Sequence, residues 1–351
     1  MRIGLLTSVP KTVDAFFRPW VDRWRAQGHG VSVAAALVDA QFRSEYVDTG
    51  LPGLGQAPGP GAVVAARALR QWVRDARLDV VLTNTATASA LVRGVNVACP
   101  VVYFCHGLHW SDPPVPVSGR LARLVEGALI PRTAGVITMN SHDRAWFDRR
   151  SETLPHMHLS AGIGLDLVEW PWVRRAPVRK GGVLRLVWVG DFSARKRPED
   201  ALHLMRLLHD RAIRATLTMV GDGPLMTATR DASGPSLAVT FAGRVPSARH
   251  LAAADALIHT AAWEGLSRVL LEASSTGLPS FGYSVKGVRD CPGARSKGAS
   301  GDVEALASMV VQWMGEGQVP PQLDRSMLDW RLAHDQVTEF LEPLAREASR
   351  P

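Results

Sequence analysis

Short apolar runs of strand length alternate with amphipathic helical stretches along most of the chain. The first half contains strand patterns at Ile3–Thr7, Val31–Ala36, Val80–Thr83, Val101–Cys105 and Gly135–Met139, and helical patterns at Ala15–Gln27, Ala62–Arg77 and Arg120–Ile130. The second half repeats the alternation, with strand patterns at Leu184–Val189, Ala215–Val220, Ala238–Phe241 and Ala256–Thr260 and a helical pattern at Pro198–Leu208. Strands that alternate with helices favour a parallel sheet covered on both faces. The pattern therefore predicts an α/β protein with two open sheets.

A segment without either periodicity separates the two halves. It runs from Trp170 to Gly182, is rich in Trp, Pro and Arg, and is typical of a linker or a first loop. A chain of 351 residues is long enough for two domains of ordinary size. We predict a first domain over residues 1–168 and a second over residues 169–325. Residues 326–351 carry a helical pattern formed by Trp330, Val337, Phe340, Leu341 and Leu344.

Two carboxylates, Glu264 and Glu272, flank the predicted start of a helix after the last strand pattern. Glu264 lies in the loop, Ser267 is predicted to cap the helix, and Glu272 leans back toward its first turn. A carboxylate only accepts hydrogen bonds, as the hydroxyl pairs of a ribose or a hexose require. The amides of the helix start, around Leu266 and Ser267, favour a diphosphate. The arrangement suits a sugar nucleotide, although two solvated Glu residues beside a helix start would give the same pattern.

The surrounding motif resembles that of a known family. The Glu264-Gly and Glu272 pair is followed by Gly277-Leu-Pro279, and this combination resembles the donor-site signature of the retaining glycosyltransferases of family 4. The resemblance implies the GT-B fold, in which two Rossmann-like domains face each other across a crevice. It also implies that Glu272 holds the ribose and that Glu264 holds hydroxyls of the donor sugar. In GT-B proteins a C-terminal helix often crosses back onto the first domain.

Lys196 follows the first strand pattern of the second half, where family 4 members have a Gly-Arg pair, a short loop and a Lys. The resemblance implies that Lys196 neutralises the diphosphate that leaves as the sugar is transferred. Asp191 stands here in place of the Arg of that pair. An unpaired Asp would repel a diphosphate, and Arg195 or Arg197 is expected to supply the missing charge.

Three further donor-side residues come from shorter matches. Gly221 lies in Val220-Gly-Asp-Gly-Pro224, which resembles the Gly-x-Gly-Pro loop of the family. Glycine there lets the backbone approach a ligand closely, although a tight turn would need the same residues. Arg244 and Val245 lie in a segment that resembles the one that meets the nucleobase in relatives.

Two residues at predicted strand ends are candidates for the acceptor side. His106, in the stretch His106-Gly-Leu-His-Trp110, resembles the His of the His-Gly-Phe-His-Phe segment of bacterial capsule and lipid-linked oligosaccharide transferases. The resemblance implies a place near the reacting sugar. Asn84 occupies a position where the same relatives often have His, and we expect it to face the acceptor. The further matches at Met139–Asp143 and Gly162–Asp166 are interpreted as architectural.

Positive charge is concentrated in the first half of the chain. Residues 1–150 hold 17 Lys and Arg against 11 Asp and Glu, and the net charge of the whole chain is +7. The helical pattern Ala62–Arg77 places Arg67, Arg70, Arg74 and Arg77 beside apolar residues, which makes a basic amphipathic helix. Two interpretations stay open for it: peripheral contact with an anionic membrane, or an ordinary solvated face. No nucleic-acid module is recognised, so no nucleic-acid partner is expected.

Missing motifs exclude several classes of function. The sequence has no Gly-x-Gly-x-x-Gly opening a helix, no Gly-Lys-Ser/Thr phosphate loop and no His-Glu-x-x-His zinc motif. No Asp-x-Asp triplet stands ready for a divalent metal, so we expect no metal and no cofactor. No apolar run reaches the roughly 18 to 20 residues of a membrane span, and the start of the chain does not suit a signal peptide. The three cysteines form no metal spacing and no even disulfide set. A cytoplasmic protein is expected, with the inner face of the membrane as an alternative site.

The sequence thus predicts a retaining, metal-independent glycosyltransferase. Its donor would be a nucleotide sugar, with UDP as the expected nucleotide, and its acceptor a hydroxyl of a glycan, a lipid-linked or a small molecule. His106, Glu264 and Lys196 are the candidate catalytic residues. Two alternatives stay open. One is a UDP-sugar epimerase of the same fold, and the other is a degenerate partner subunit that transfers nothing, which Asp191 favours.

Overall fold

The computed structural model describes residues 1–37, 44–55, 59–108, 110, 117–179 and 181–347, and the chain divides into two compact units. The first unit comprises Met1–Ile163 and Arg331–Pro351, and the second comprises Gly164–Trp330. Within the described residues, no helix is both long enough and apolar enough to cross a membrane.

The unit boundaries differ by a few residues from the predicted domain limits. The second unit begins at Gly164 rather than at residue 169, and residues 326–330 belong to it rather than to the last helix. Backbone pairing explains the shift. The amide of Leu165 donates to the carbonyl of Leu328 at 2.7 Å, and its carbonyl accepts from the amide of Trp330 at 3.1 Å.

A parallel sheet with the strand order β3-β2-β1-β4-β5-β6-β7 forms the centre of the first unit. Its strands are β1 Arg2–Thr7, β2 Gly30–Ala36, β3 Thr49–Leu51, β4 Val80–Thr83, β5 Val101–Cys105, β6 Gly135–Thr138 and β7 His156–His158. Its helices are α1 Arg18–Ala26, α2 Ala62–Asp75, α3 Ala86–Gly94, α4 Val117–Leu129 and α5 Ser141–Asp148, with a π-helical turn at Val13–Phe17 before α1 and a 3₁₀ turn at Ile130–Arg132 after α4.

A second parallel sheet, of order β10-β9-β8-β11-β12-β13, forms the centre of the second unit. Its strands are β8 Leu184–Val189, β9 Ala215–Val220, β10 Val239–Gly243, β11 Ala256–His259, β12 Ser280–Gly282 and β13 Arg295–Ser296. Its helices are α6 Pro198–Asp210, α7 Met226–Ser233, α8 Ala248–Ala253, α9 Arg268–Ser275 and α10 Val303–Gly315, with a 3₁₀ turn at Arg325–Leu328.

Buried, unbroken apolar strands explain why both sheets are parallel. All residues of β4, β5, β6 and β11 are buried, because helices cover both faces of each sheet. The predicted α/β class with two open sheets, and the GT-B pattern of two Rossmann-like domains, are confirmed. Among the elements that were not predicted, β3, α3 and β7 are too short or too weakly patterned to stand out in the sequence.

The last helix, α11 Trp330–Glu347, packs against the first unit although the residues before it belong to the second. The indole of Trp24 donates to Oγ1 of Thr338 at 2.7 Å. The guanidinium of Arg23 donates to both oxygens of Asp335 at 3.0 and 2.8 Å. Helix α1 therefore helps to hold α11 in place.

Candidate functional site

The predicted donor residues follow the strands of the second sheet at their carboxyl ends. Strands β9 and β10 lie on one side of β8, and β11 and β12 lie on the other. The order of the chain across the sheet therefore reverses between β8 and β11. In open α/β sheets such a reversal opens a place for a ligand at the carboxyl edge. Lys196 follows β8 and Glu264 follows β11, so both flank this reversal point.

Glu264 forms an ion-pair cluster with the two cations that follow β8. Nζ of Lys196 lies 2.5 Å from Oε1 of Glu264, and Nη1 of Arg195 lies 2.6 Å from Oε2. The side chain of Glu264 is only 11% exposed, so solvent screens these contacts weakly. On the other side of the carboxylate, Nε2 of His259 lies 3.5 Å from Oε1.

These contacts fix the protonation states in the cluster. Burial alone would raise the pKa of Glu264, but His259, Lys196 and Arg195 outweigh it and hold the pKa well below its ordinary value. Burial lowers the pKa of His259 despite the nearby carboxylate. Glu264 is therefore a permanent carboxylate at neutral pH, which accepts hydrogen bonds and cannot act as a general acid.

Hydrogen bonds tie the loop after β8 to the loop after β11. Oγ1 of Thr260 donates to the carbonyls of Lys196 and Arg197 at 2.7 and 2.9 Å. The indole of Trp188 donates to the same Oγ1 at 2.9 Å, and the amide of Ala262 donates to the carbonyl of Arg195 at 2.8 Å. The loop that carries Lys196 and Arg195 is therefore held against the loop that carries Glu264.

The Asp that departs from the family pattern does not stand unpaired. Oδ1 of Asp191 lies 3.5 Å from Nη2 of Arg195, the same guanidinium that contacts Glu264. Arg197 is directed elsewhere, because it pairs with Asp200 at 2.6 Å. Of the two arginines expected to supply the missing positive charge, only Arg195 joins the cluster.

Glu272 lies on α9 as predicted, but its surroundings differ from those of Glu264. Nε of Arg268 lies 3.2 Å from its Oε1 and is the cation paired with it. Burial raises the pKa of Glu272 to about 7, and Arg268 offsets this only in part. Glu272 therefore titrates close to neutrality.

Ser267 occupies the residue before α9, but its side chain does not cap the helix as predicted. Its backbone is extended, and its Oγ is buried without a hydrogen-bond partner among the described residues. The carbonyl of Ser267 instead accepts from the amides of Leu270 and Leu271 at 3.1 and 3.3 Å. Leu266 precedes it in the same loop, partly buried against the apolar cluster beneath α9.

Gly221, Arg244 and Val245 lie at the same edge of the sheet, on the other side of β8. A Cβ on Gly221 would lie 1.8 Å from the carbonyl oxygen of Gly190, so only glycine lets the loop after β9 pack on the loop after β8. Arg244 is exposed directly after β10, and Val245 is partly buried against the apolar cluster beneath α9.

Lys286 and Trp263 complete this edge, and the sequence did not single them out. Lys286 is only 1% exposed, and its Nζ lies 6.0 Å from the centre of the Trp263 ring. The guanidinium of Arg195 lies 5.4 Å from the same ring. Lys286 comes shortly after β12, and the sequence did not reveal where this strand ends. Had that end been recognised, the rule that identified Lys196, that ligands bind beyond the carboxyl ends of strands, would have identified Lys286 as well.

Asn84 and His106 lie in the first unit, at the carboxyl ends of the neighbouring strands β4 and β5. Both polar atoms of the Asn84 side chain and Nε2 of His106 are buried, without hydrogen-bond partners among the described residues. The His106 ring stacks on Phe104 with centroids 4.7 Å apart. Burial lowers the pKa of His106 to about 4, so the ring is neutral at pH 7. Unsatisfied buried polar groups are costly, so this edge favours a hydroxyl-bearing ligand.

The segment Met139–Asp143 has the architectural role that was predicted for it. Oδ1 of Asn140 accepts from the amide of Asp143 at 2.8 Å and caps α5. Oδ2 of Asp143 accepts from the amide of Leu108 at 3.0 Å, which fixes the chain just after His106. His109 lies outside the described residues. No group of three or more His, Cys, Asp or Glu in the described part of the chain is arranged to hold a metal ion.

Two family models match the chain. The model described as glycosyl transferases group 1 matches residues 184–316, and the model described as a glycosyl transferase 4-like domain matches residues 12–158. No curated protein matches the chain in sequence.

Solved structures share the fold at low sequence identity. Sucrose-phosphate synthase from Thermosynechococcus elongatus is 16% identical, with 98% of this chain and 99% of that chain covered and a TM-score of 0.74. HepE from Anabaena, solved with UDP, is 16% identical, with coverages of 98% and 100% and a TM-score of 0.73. The lipopolysaccharide outer core galactosyltransferase WaaB is 14% identical, with coverages of 99% and 98% and a TM-score of 0.69.

Proposed function

This chain belongs to the family 4-like GT-B glycosyltransferases, and on that premise we propose which reaction it performs. It moves a sugar from a UDP-sugar to a hydroxyl of a glycan, a lipid-linked or a small-molecule acceptor, with retention of configuration and without a metal ion. It works in the cytoplasm, at the inner face of the membrane when the acceptor is lipid-linked. The choice of UDP is supported by HepE, whose structures contain UDP and UDP-glucose.

One observation carries this proposal: Glu264 contacts both Lys196 and Arg195 at the reversal point of the second sheet. When the bond between the anomeric carbon and the diphosphate breaks, the electron pair goes to the diphosphate oxygen. Two cations already fixed beside that oxygen stabilise the new charge without reorganisation, which is usually the largest contribution to catalysis.

The remaining donor contacts follow from the chemistry of the other side chains. A carboxylate offers about four lone-pair sites, so Glu264 can accept from two sugar hydroxyls while it keeps both cations. Glu272 accepts from the ribose hydroxyls. Leu266 presents its backbone amide to the diphosphate, Ser267 offers its Oγ, which has no hydrogen-bond partner among the described residues, and Arg244 and Val245 meet the base beside the Gly221 loop.

On the acceptor side, Asn84 and the neutral His106 bind hydroxyl groups. The acceptor attacks the face of the sugar from which the diphosphate departs, and its proton passes to the departing phosphate oxygen. No side-chain nucleophile is required.

Thermal unfolding with UDP, GDP, ADP or dTDP tests the donor class. A ligand at 100 times its dissociation constant adds about 2.7 kcal/mol of stability. UDP is therefore expected to raise the melting temperature clearly, and the other three nucleotides are not. A chain that no nucleotide stabilises would be a degenerate partner subunit. A UDP-sugar that is converted without an acceptor and without release of UDP would indicate an epimerase.

The variant Glu264→Gln tests the cluster itself. It keeps the shape of the side chain but removes the charge that pairs with Lys196 and Arg195. Release of UDP from the preferred UDP-sugar is expected to fall about 100-fold, since hydrogen bonds to a charged group are each worth roughly 1.5 to 3 kcal/mol. UDP should still bind.

The matched control is Glu199→Gln, which changes an exposed carboxylate on α6 and should leave turnover unchanged. Full turnover by Glu264→Gln would show that the charge of Glu264 has no role in the reaction.

A further inference from the structure

His259 is a buried imidazole beside the carboxylate of Glu264, and the proposed reaction does not yet use it. It is the last residue of β11, it is 1% exposed, and its Nε2 lies 3.5 Å from Oε1 of Glu264. This separation is long for a hydrogen bond, and Nε2 has no closer partner among the described residues. A buried polar nitrogen is costly to leave unpaired, so its position points to a state of the protein in which it is bonded to Glu264.

The backbone around His259 is fixed independently of Glu264. His259 pairs with Gly282 of β12, and a Cβ on Gly282 would lie 3.0 Å from the carbonyl oxygen of His259 and 3.6 Å from its Cβ. The next residue, Thr260, donates to the carbonyls of Lys196 and Arg197 in the loop after β8. The strand end that carries the imidazole is therefore held by β12 on one side and by this loop on the other.

The ring of His259 is neutral and has one N–H to donate. Burial lowers the pKa of His259, and the charges of Lys196 and Arg195 lower it further, whereas the Glu264 carboxylate raises it. A neutral imidazole carries its proton on only one of its two nitrogens. The favoured tautomer has the proton on Nε2, because a lone pair at that position would be repelled by the carboxylate oxygen.

Glu264 has to share its two cations with the diphosphate of a bound donor. In the structure Nζ of Lys196 lies 2.5 Å from Oε1 of Glu264, and Nη1 of Arg195 lies 2.6 Å from Oε2. A diphosphate carries more negative charge than a carboxylate, so it attracts both cations and weakens their contacts with Glu264. His259 does not follow them, because its ring is neutral and buried. Its N–H is therefore the donor that remains beside Oε1 when the cations are shared.

We propose that His259 is a positioning residue, whose Nε2–H donates to Oε1 of Glu264 in the donor-bound protein and keeps the carboxylate directed at the sugar hydroxyls. This inference rests on the proposed function, which assigns those hydroxyls to Glu264. His259 touches neither the donor nor the acceptor and acts only through Glu264. Its loss therefore weakens the binding of a UDP-sugar and leaves the binding of UDP unchanged.

Three substitutions of His259 test this role. His259→Gln places an amide nitrogen close to the position of Nε2, His259→Asn places the same group one bond short of it, and His259→Leu removes it. Calorimetry gives the affinity of each variant for UDP, UDP-glucose and UDP-galactose, of which the UDP-sugar that the unchanged protein turns over faster is compared with UDP.

His259→Leu and His259→Asn should bind that UDP-sugar about tenfold more weakly or worse, as expected for a lost hydrogen bond to a charged group. Both should bind UDP as the unchanged protein does, and His259→Gln should recover most of the affinity for the UDP-sugar. The control is His203→Gln, at an exposed position of α6, which should bind both ligands normally.

Three results with these variants would overturn the proposal. Equal losses for UDP and the UDP-sugar in His259→Leu would mean that the residue only supports the fold. Unaltered affinity for both ligands would mean that it has no part in donor binding. A His259→Gln variant that binds the UDP-sugar no better than His259→Asn would mean that the nitrogen at the position of Nε2 is not what matters.

Nitrogen NMR of the histidine rings tests the geometry in the unchanged protein, without relying on a variant that must fold. The signals of His259 are identified by their loss in His259→Gln. Nε2 should carry the proton, and the signal of that proton should move downfield when UDP binds, because the bond to Glu264 shortens. A proton on Nδ1, or a signal that UDP does not move, would contradict the inference. Absence of thermal stabilisation of the unchanged protein by UDP would overturn the proposed function as well, which distinguishes the two failures.

Discussion

Two glutamates that look alike in the sequence acquire different chemistry from their neighbours. Glu264 contacts Lys196 and Arg195, and its pKa lies well below the ordinary value although the side chain is buried. Glu272 is equally buried, but its paired cation is Arg268, whose side chain is 38% exposed, and its pKa rises to about 7. The first is suited to a permanent acceptor role, and the second can exchange a proton near physiological pH.

The raised pKa of Glu272 predicts a pH dependence of stability. The folded protein keeps the proton of Glu272 up to about pH 7, whereas the unfolded chain loses it near the ordinary value of 4.5. Between these values the folded state binds more protons, so the stabilisation is present at low pH and is lost as pH rises through 7. The loss is roughly 3 kcal/mol.

Urea unfolding at pH 5, 6, 7 and 8 should show this loss. Glu272→Gln mimics the protonated side chain and should lose less stability over the same range. Parallel curves for the two proteins would mean that Glu272 does not titrate there.

At the scale of the elements, the loop from Glu264 to Ser267 is held by the loop after β12. The amide of Glu264 donates to the carbonyl of Lys286 at 2.9 Å, and the amide of Ser267 donates to that of Gly287 at 3.2 Å. Gly287 has a φ of +71°, and a Cβ there would lie 2.3 Å from the carbonyl oxygen of Glu264. The carboxylate is therefore positioned by a backbone contact that only glycine permits.

Gly287→Ala is expected to disturb the site and the fold together. The left-handed conformation costs roughly 1 to 2 kcal/mol for a residue with a Cβ, and the clash should bring the loss to about 3 kcal/mol. The displaced Glu264 loop should weaken UDP binding as well.

Gly317→Ala is the matched control, because Gly317 has a φ of +82° with no atom within 4 Å of the added Cβ. Gly317→Ala should lose only the roughly 1 to 2 kcal/mol of stability that the left-handed conformation costs, and it should bind UDP normally. Equal losses in both variants would show that the contact with Glu264 does not matter.

At the scale of the whole molecule, the chain returns to its first unit at its end. Helix α11 packs on α1 through Trp24 and Thr338, both of which are buried, and through the pair of Arg23 with Asp335. The stability of the first unit therefore depends on residues more than 300 positions away in the sequence.

Thr338→Val tests this dependence, because it keeps the volume of the side chain but leaves the buried indole N–H of Trp24 without its acceptor. An unsatisfied buried donor costs roughly 1 to 3 kcal/mol, so the free energy of unfolding should fall by that amount and proteases should cut α11 sooner. Gln336→Ala, at an exposed position of the same helix, should change neither. An unaltered cleavage rate in Thr338→Val would argue against Trp24 as the anchor.

Much of the fold and part of the site could be read from local patterns. The apolar strands were predicted because the hydrophobic periodicity that distinguishes a strand from a helix depends only on residues close together in the sequence. Lys196 and Glu264 were found because ligands gather where parallel strands end, and the two residues do meet. Lys286 was not identified from the sequence, because β12 spans only Ser280–Gly282 and its end was not recognised.

The sequence by itself determined the α/β class, the two sheets and the type of residue at each strand end, since these depend on neighbours within a few positions. Only the tertiary structure decided which charges pair. It directed Arg195 to Glu264 and Arg197 to Asp200, left Ser267 without a capping bond, and turned the apolar side of α4 outward while it buried that of α2. Charge pairing and burial depend on distances between residues far apart in the chain, and those distances exist only once the sheets have formed.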